Sequence, residues 1–264
     1  MQFGSLTLKR CRYGWMLFPV GRIYVGKCFD LYGQYSEGEV ALMRALLREG
    51  DTVIDVGANV GALTVPMSQI VGDTGRVFAI ESDPETFNVL CANLALNGIR
   101  NVTPLNTFIT DRDVDDVSAS GSAAERWPTG VLSLDSLKLD ACHFIKVDVD
   151  GSEIDVFRGC EMQIERFRPI LYFENELREK SVELLTFLMD NLGYHLYFHP
   201  APLFDAINFF GNSINHWAPT ELVSMMMLGV PQERKVTVDL KRITNASDWW
   251  DFTAPVSSYF TQNS

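Results

Sequence analysis

Four short stretches set acids and amides where a ligand could be held: "DVGANVG" at 55–61, "ES" at 81–82, "KVDVDGSE" at 146–153 and "FENE" at 173–176. The first closes an apolar run of strand length, so Asp55 falls at the strand's end and Gly57 lets the backbone turn sharply. Gly61 leaves room for a helix to pack closely, and that helix's N-terminus offers free N–H groups to an anionic part of a ligand. Asp55, Gly57, Ala58, Asn59 and Gly61 are therefore read as the cradle of a nucleotide-like cofactor. A dinucleotide fingerprint would want glycine at 57, 59 and 62, where this chain has Gly57, Asn59 and Ala62. Asp55 is poorly placed for a diphosphate and well placed for an ammonium group or a water beside it. S-adenosylmethionine, with an amino-acid end, a sulfonium and no phosphate, suits such a loop. About twenty residues on, Glu81 closes "RVFAIES", with Ser82 next to it, where an acid accepts both hydrogen bonds of a ribose diol. That diol is shared by the dinucleotide and S-adenosylmethionine, so the choice rests on Asp55 and the missing glycines.

The later acids suit proton chemistry. Asp148 ends an apolar strand on the side of the cofactor cleft, and a carboxylate buried there must be paired, protonated or engaged with a ligand. Lys146 shares its face by the period of two and offers one such pair. Asp150, beside the turn at Gly151, reads equally as an acceptor contact or a turn residue, and Ser152 with Glu153 reads as a helix start. Asp148 or Glu174, acids at strand ends, could take the proton of a bound hydroxyl. His199, at the far end of "YHLYFHP", is the third candidate for catalysis. A second reading has Asp148 and Glu174 share a magnesium ion with Asn175; no metal is assigned. Tyr35 and Glu37 are placed to fold over the cofactor's methionine end, against simple helix capping with Ser36, while Asn106 and Thr107 would line the adenine. Phe210 and Trp217 supply flat faces for an acceptor.

These residues need a scaffold that brings strand ends together. Strands are expected near 52–56, 76–81, 102–109, 143–148 and 169–174, with helices near 36–50, 60–71, 84–97, 152–164 and 178–192. Alternation of this kind is the pattern of a doubly wound α/β sheet, whose ligands lie beyond the strands' carboxyl ends. Residues 1–33 alternate apolar and polar between turn glycines and read as a β-rich extension. The span 34–200 reads as the cofactor-binding core, 201–231 as a substrate lid, and 232–264, with "RKVTVDL", as a last strand and tail of one domain.

In sequence order and spacing, "GDTVIDVGANVGALT", "VFAIESDPETFNVLCANLALNG" and "FIKVDVDGSEIDVFRGCEMQIERFRPILYFENE" resemble the FkbM-type S-adenosylmethionine-dependent methyltransferases over residues 34 to 176. The resemblance implies a class I methyltransferase fold, a Rossmann-like, mostly parallel sheet with an antiparallel last strand. It also implies methyl transfer to a hydroxyl oxygen of a sugar, glycolipid or polyketide-like natural product. An NAD-dependent oxidoreductase on a related sheet and a non-catalytic nucleoside-binding module are the competing classes.

Composition narrows the partners. A net charge of -12 with no basic run repels a phosphate backbone, which points to a small-molecule or glycan acceptor and no nucleic acid. Five scattered cysteines form no zinc or disulfide spacing, and no apolar stretch reaches the length of a bilayer span, so a cytoplasmic protein without an integral membrane segment, open to homo-oligomerisation, is expected.

Overall fold

The computed structural model describes residues 1–21, 24–111, 130–218, 222–251 and 253–260. The chain forms two compact units, one built on Met1–Thr107 with Ala201–Ser224, the other on Gly130–Pro200 with Met225–Ser264 and the residues that open at Phe108.

The first unit begins with an antiparallel sheet of β1 (Gln2–Phe3), β2 (Leu6–Cys11) and β3 (Gly14–Pro19). Helices α1 (Val25–Tyr32) and α2 (Glu37–Leu46) follow, so the expected β extension ends at Pro19 and its last third is helical. Ser36 precedes α2 at φ 42° without a side-chain capping bond, contrary to the capping expected of it. Next come β4 (Thr52–Val56), α3 (Thr64–Val71), β5 (Arg76–Ile80), α4 (Pro84–Leu96) and β6 (Val102–Leu105). β5 pairs in parallel with both β4 and β6, an arrangement that requires the helical crossovers α3 and α4. Strand β4 is buried at every position from Val53 to Val56, which is why "TVIDV" reads as an apolar run rather than an alternation. Helix α3 starts four residues later than expected because Asn59 (φ 51°) and Gly61 (φ 87°) hold left-handed backbone that no helix can include.

The second unit holds β7 (Phe108–Ile109) paired in parallel with β8 (Val131–Leu132), then β9 (Phe144–Val147), α5 (Glu153–Arg158), α6 (Glu161–Phe167), β10 (Ile170–Glu174), α7 (Arg178–Thr186), β11 (Tyr194–Pro202) and β12 (Val223–Pro231). Strand order is β11-β12-β10-β9, with β9 parallel and β12 antiparallel to β10. The expected strand directions therefore hold, but the antiparallel strand is "VSMMMLGVP", inside the stretch expected to be lid, and "RKVTVDL" forms no strand. Arg234–Asp239 stays largely exposed. The single helix expected over 152–164 is two, broken at Gly159, where a Cβ would lie 2.0 Å from the Thr110 carbonyl oxygen. A π turn at Phe187–Asn191 ends the helix begun at Arg178. Phe144, Ile145, Val147, Leu171, Tyr172 and Phe173 are fully buried and form the centre of this unit.

Candidate functional site

The glycine loop of the first unit is a tight backbone turn. Gly57 (φ 77°), Asn59 and Gly61 place three left-handed residues within five, and the Gly57 and Ala58 N–H groups both donate to the Ile80 carbonyl at the end of β5. A Cβ on Gly61 would sit 2.9 Å from Leu90 Cδ1, so this glycine serves packing against α4 as well as the turn. Ala58 is buried in the same apolar group as Ala79, Leu90 and Leu94, which makes its side chain core and leaves only its backbone for the loop. Asp55 is fully buried, and its Oδ2 accepts the Thr64 hydroxyl at 2.6 Å. Asp55 thus braces the start of α3 beneath the loop.

Glu81 follows β5 directly, and both of its oxygens are held by backbone N–H groups: Oε2 accepts from Asn59 at 2.8 Å and Oε1 from Asp83 at 2.8 Å. The acidic end of one strand is thereby fixed to the glycine loop of its neighbour. Asn106 donates to the Glu81 and Ser82 carbonyls, so these predicted residues form one bonded group, with Thr107 buried beside them in sequence.

Glu37 opens α2 and accepts a short hydrogen bond from the Tyr13 hydroxyl, while its Oε2 lies 3.4 Å from Arg12 Nε. Tyr13 comes from the β2–β3 turn, and burial with the Glu37 bond pushes its pKa up to about 12, so it stays a donor. Tyr13 and Tyr35 pack on the cluster of Cys11, Met16, Phe18 and Phe29 that includes Val60, Ala62 and Val65. The N-terminal sheet therefore touches the glycine loop. Tyr13 was not anticipated; nothing in "RCRYG" marks its partner, which is set by how β2 and β3 pair.

The second unit gathers the later acids. Lys146, buried on β9, has its Nζ 3.6 Å from Asp148, the pairing its spacing predicts, and the Asp148 side chain keeps 32% exposure. Glu174 hydrogen-bonds Asp148, and burial first, then that neighbouring charge, pushes its pKa up to about 10. Glu174 therefore holds a proton at neutral pH. Asp150, Glu174 and Glu176 each present an oxygen within 4.8 Å of the others, a spacing that could hold a cation. Asn175 is buried, with Nδ2 on Ser181 and its backbone carbonyl accepting from Trp250. Glu153 closes the Asp150 turn by accepting from the Val149 and Gly151 N–H groups, while Ser152, read with it as a helix start, makes no side-chain capping bond to α5. Glu176 is the acid that went unnamed, although its spacing of two from Glu174 puts both on one face of an extended chain.

His199 lies on β11, buried, with Nδ1 2.7 Å from the Tyr172 hydroxyl; desolvation lowers its pKa to about 4, so the imidazole is neutral. In the first unit, Trp217 packs with Cys28, Tyr32 and Leu203 of α1 and its surroundings, under Lys27 at 4.2 Å from the ring centre. Phe210 is partly exposed and donates its N–H to the Tyr32 carbonyl. Residues 219–221 of the expected lid lie outside the described residues.

Parallel strands joined by helical crossovers, with a glycine turn after the first and an acid after the second, make an α/β domain of the class I methyltransferase type. The chain belongs to the FkbM methyltransferase family: residues 55–196, more than half of it, match the methyltransferase FkbM domain. Among curated proteins it is similar to the hexuronic acid methyltransferase AglP of Haloferax volcanii, 29% identical over 139 residues, covering 46% of this chain and 56% of that protein. It is also similar to the tRNA(Phe) (4-demethylwyosine(37)-C(7)) aminocarboxypropyltransferase of Methanocaldococcus jannaschii, 30% identical over 88 residues, 33% of this chain and 35% of that one. The chain spans about a third of the length of the first curated relatives it matches. Among solved structures, the methyltransferase FkbM from Methylobacillus flagellatus aligns with a TM-score of 0.49 at 18% identity, over 70% of this chain and 45% of that one. Among the described residues no helix is long and apolar enough to cross a membrane.

Proposed function

We propose that the chain binds S-adenosylmethionine and methylates a hydroxyl oxygen of a sugar, glycolipid or polyketide-like acceptor. The observation that carries this reading is the bond from the Asn59 N–H to Glu81, which fixes an acid at a strand end beside a loop without the dinucleotide glycines. The residues fit the cofactor: the Asn59 and Asp83 N–H groups fix the Glu81 carboxylate beside the left-handed turns at 57–61, oriented for a ribose diol. S-adenosylmethionine, when bound, supplies a methyl group on a sulfonium that departs as a neutral thioether. Gly57, Asn59 and Gly61 hold the methionine part with Tyr35 and Glu37, Asp55 supports the loop, Glu81 holds the ribose, and Asn106 and Thr107 border the adenine.

For the acceptor, the reading assigns the hydroxyl proton to Asp148. Glu174, already protonated, is a hydrogen-bond donor to Asp148 and not itself a base at neutral pH. Asp150 and Phe210 are the proposed acceptor contacts, and His199, neutral, is tied to the Tyr172 hydroxyl of β10, two strands away in the sheet order. The hexuronic acid methyltransferase among the relatives supports a sugar acceptor, while others are named for tRNA. The test is transfer of radiolabelled methyl from S-adenosylmethionine to a panel of uronic acid glycosides, lipid-linked sugars, polyketide alcohols and transfer RNA. Label on a glycoside hydroxyl supports the proposal; label on RNA alone, or on none of them with cofactor bound, contradicts it.

A further inference from the structure

Gln34 is buried between parts of the first unit that lie far apart in sequence. Its Oε1 accepts from the Phe209 N–H and from Arg12 Nε, each at 2.8 Å, and its Nε2 donates to Asp205 Oδ2 at 3.3 Å. A buried amide without partners is costly, so these bonds fix Gln34 and the segments on either side of it to one another. Gly33, beside it, supports the same turn. A Cβ at Gly33, whose φ is 66°, would lie 2.8 Å from Phe210 Cε1 and 2.9 Å from Phe209 Cδ1, so both rings rest on bare backbone. The Gly33 carbonyl in turn accepts the Arg12 N–H at 2.8 Å.

The residues that follow reach the other way. Tyr35 packs on the apolar group of Val60, Ala62 and Val65 that backs the glycine loop, and also on that of Tyr32 and Leu203. Ser36 stands at φ 42°, a backbone few serines adopt, and its buried hydroxyl has no hydrogen-bond partner among the described residues. Such a hydroxyl is a polar group that a ligand at this place would satisfy. Glu37 is held by Tyr13, the neighbour of Arg12 in the chain. Residues 33–37 are therefore one bonded strip, with the turn at 205–210 on one flank and the glycine loop on the other. Packed and hydrogen-bonded groups in unbroken contact carry coupling between sites, and a ligand that orders one end lowers the ordering cost at the other.

We infer that Gln34 is a positioning residue that makes the acceptor contact depend on the cofactor. Contact of S-adenosylmethionine with Tyr35 and Glu37 orders residues 33–37, and Gln34 passes that order to Phe209 and so to Phe210. The cofactor then binds first, and the acceptor meets a turn already in place. The inference rests on the reading of Tyr35, Glu37 and Phe210 given above.

The test is hydrogen–deuterium exchange of the 264-residue chain with and without S-adenosylhomocysteine, beside calorimetry with the same compound and melting temperatures. The Phe209 and Phe210 N–H groups, bonded to Gln34 and to the Tyr32 carbonyl, are the reporters. In the wild type the compound should slow exchange over 205–212 at least several-fold, although no residue there is a proposed cofactor contact. Gln34→Leu should bind S-adenosylhomocysteine within a few-fold of wild type and lose that protection. Gln34→Asn, which keeps an amide but shortens its reach, should lose it too and serves if the leucine variant does not fold. A ligand-dependent difference separates positioning from a merely structural role, which would change exchange equally with and without the compound. Wild-type binding with exchange over 205–212 unaltered overturns the inference alone, as does a folded variant that keeps the full protection. No binding by the wild type overturns the cofactor reading and the inference with it.

Discussion

Replacing Glu174 by glutamine isolates the proton that the second unit stores. In the unfolded chain a glutamate titrates near ~4.3, whereas burial and the Asp148 charge push Glu174 up to about 10. Between those values the folded state binds one more proton than the unfolded state, so stability is complete below the unfolded value and falls as pH rises through the window. The ceiling is ~1.4 kcal/mol per pH unit, or ~4 kcal/mol from about pH 5 to about pH 8. Partial exposure of the cluster and sharing of charge with Asp148 reduce this to a working value of ~1–2 kcal/mol. Glu153 and Glu176, also raised by burial, push in the same direction. Glu174→Gln keeps the hydrogen-bonding outline and has no proton to lose. Urea unfolding with chelator present should then find the two proteins alike near pH 5 and the variant ~1–2 kcal/mol more stable near pH 8. Parallel pH slopes, or a variant less stable than wild type at the higher pH, would show that Glu174 is ionised in the folded protein and return it to candidacy as the base.

Glu81→Ala removes a carboxylate held by two N–H groups beside the proposed ribose; with such bonds worth ~1.5–3 kcal/mol each, cofactor Kd by calorimetry should rise at least tenfold. Asp148→Asn should leave Kd within a few-fold and cut turnover by ~10²–10⁴, the usual worth of a general base, in a single-turnover assay. Chelation of the wild-type enzyme should leave its rate unchanged if Asp148 acts directly; loss of rate restored by magnesium would make Asp150, Glu174 and Glu176 a metal site. Trp217→Ala should cost ~2–3 kcal/mol of stability because the ring packs on Cys28, Tyr32 and Leu203, whereas Phe210→Ala, partly exposed, should leave the melting temperature nearly unchanged.

The parallel strands were legible because burial on both faces leaves unbroken apolar runs such as "TVIDV", and their helices because the crossovers must return each strand to the same end. The glycine loop, Glu81 and the Lys146–Asp148 pair follow from spacing, which the backbone translates directly into position. What spacing could not show is which strand fills an edge. "RKVTVDL" has the better alternation, yet "VSMMMLGVP" holds the place beside β10, because its apolar residues suit a site buried on both faces. Contacts distant in sequence were equally hidden. Tyr13 meets Glu37, and Asn175 meets Ser181 and Trp250, only once the chain is folded. The protonated state of Glu174 arises from burial and from the acids Asp148, Glu176 and Glu153, of which only Glu176 is near in sequence.

The central claim is that the loop at 57–61 and Glu81 form an S-adenosylmethionine site. Titration calorimetry of the purified chain with S-adenosylmethionine, S-adenosylhomocysteine and NAD tests it most directly. The account predicts saturable one-to-one binding of the first two, weakened at least tenfold in Glu81→Ala, and no heat with NAD. Binding of NAD alone, or S-adenosylmethionine affinity untouched by the loss of Glu81, would contradict it.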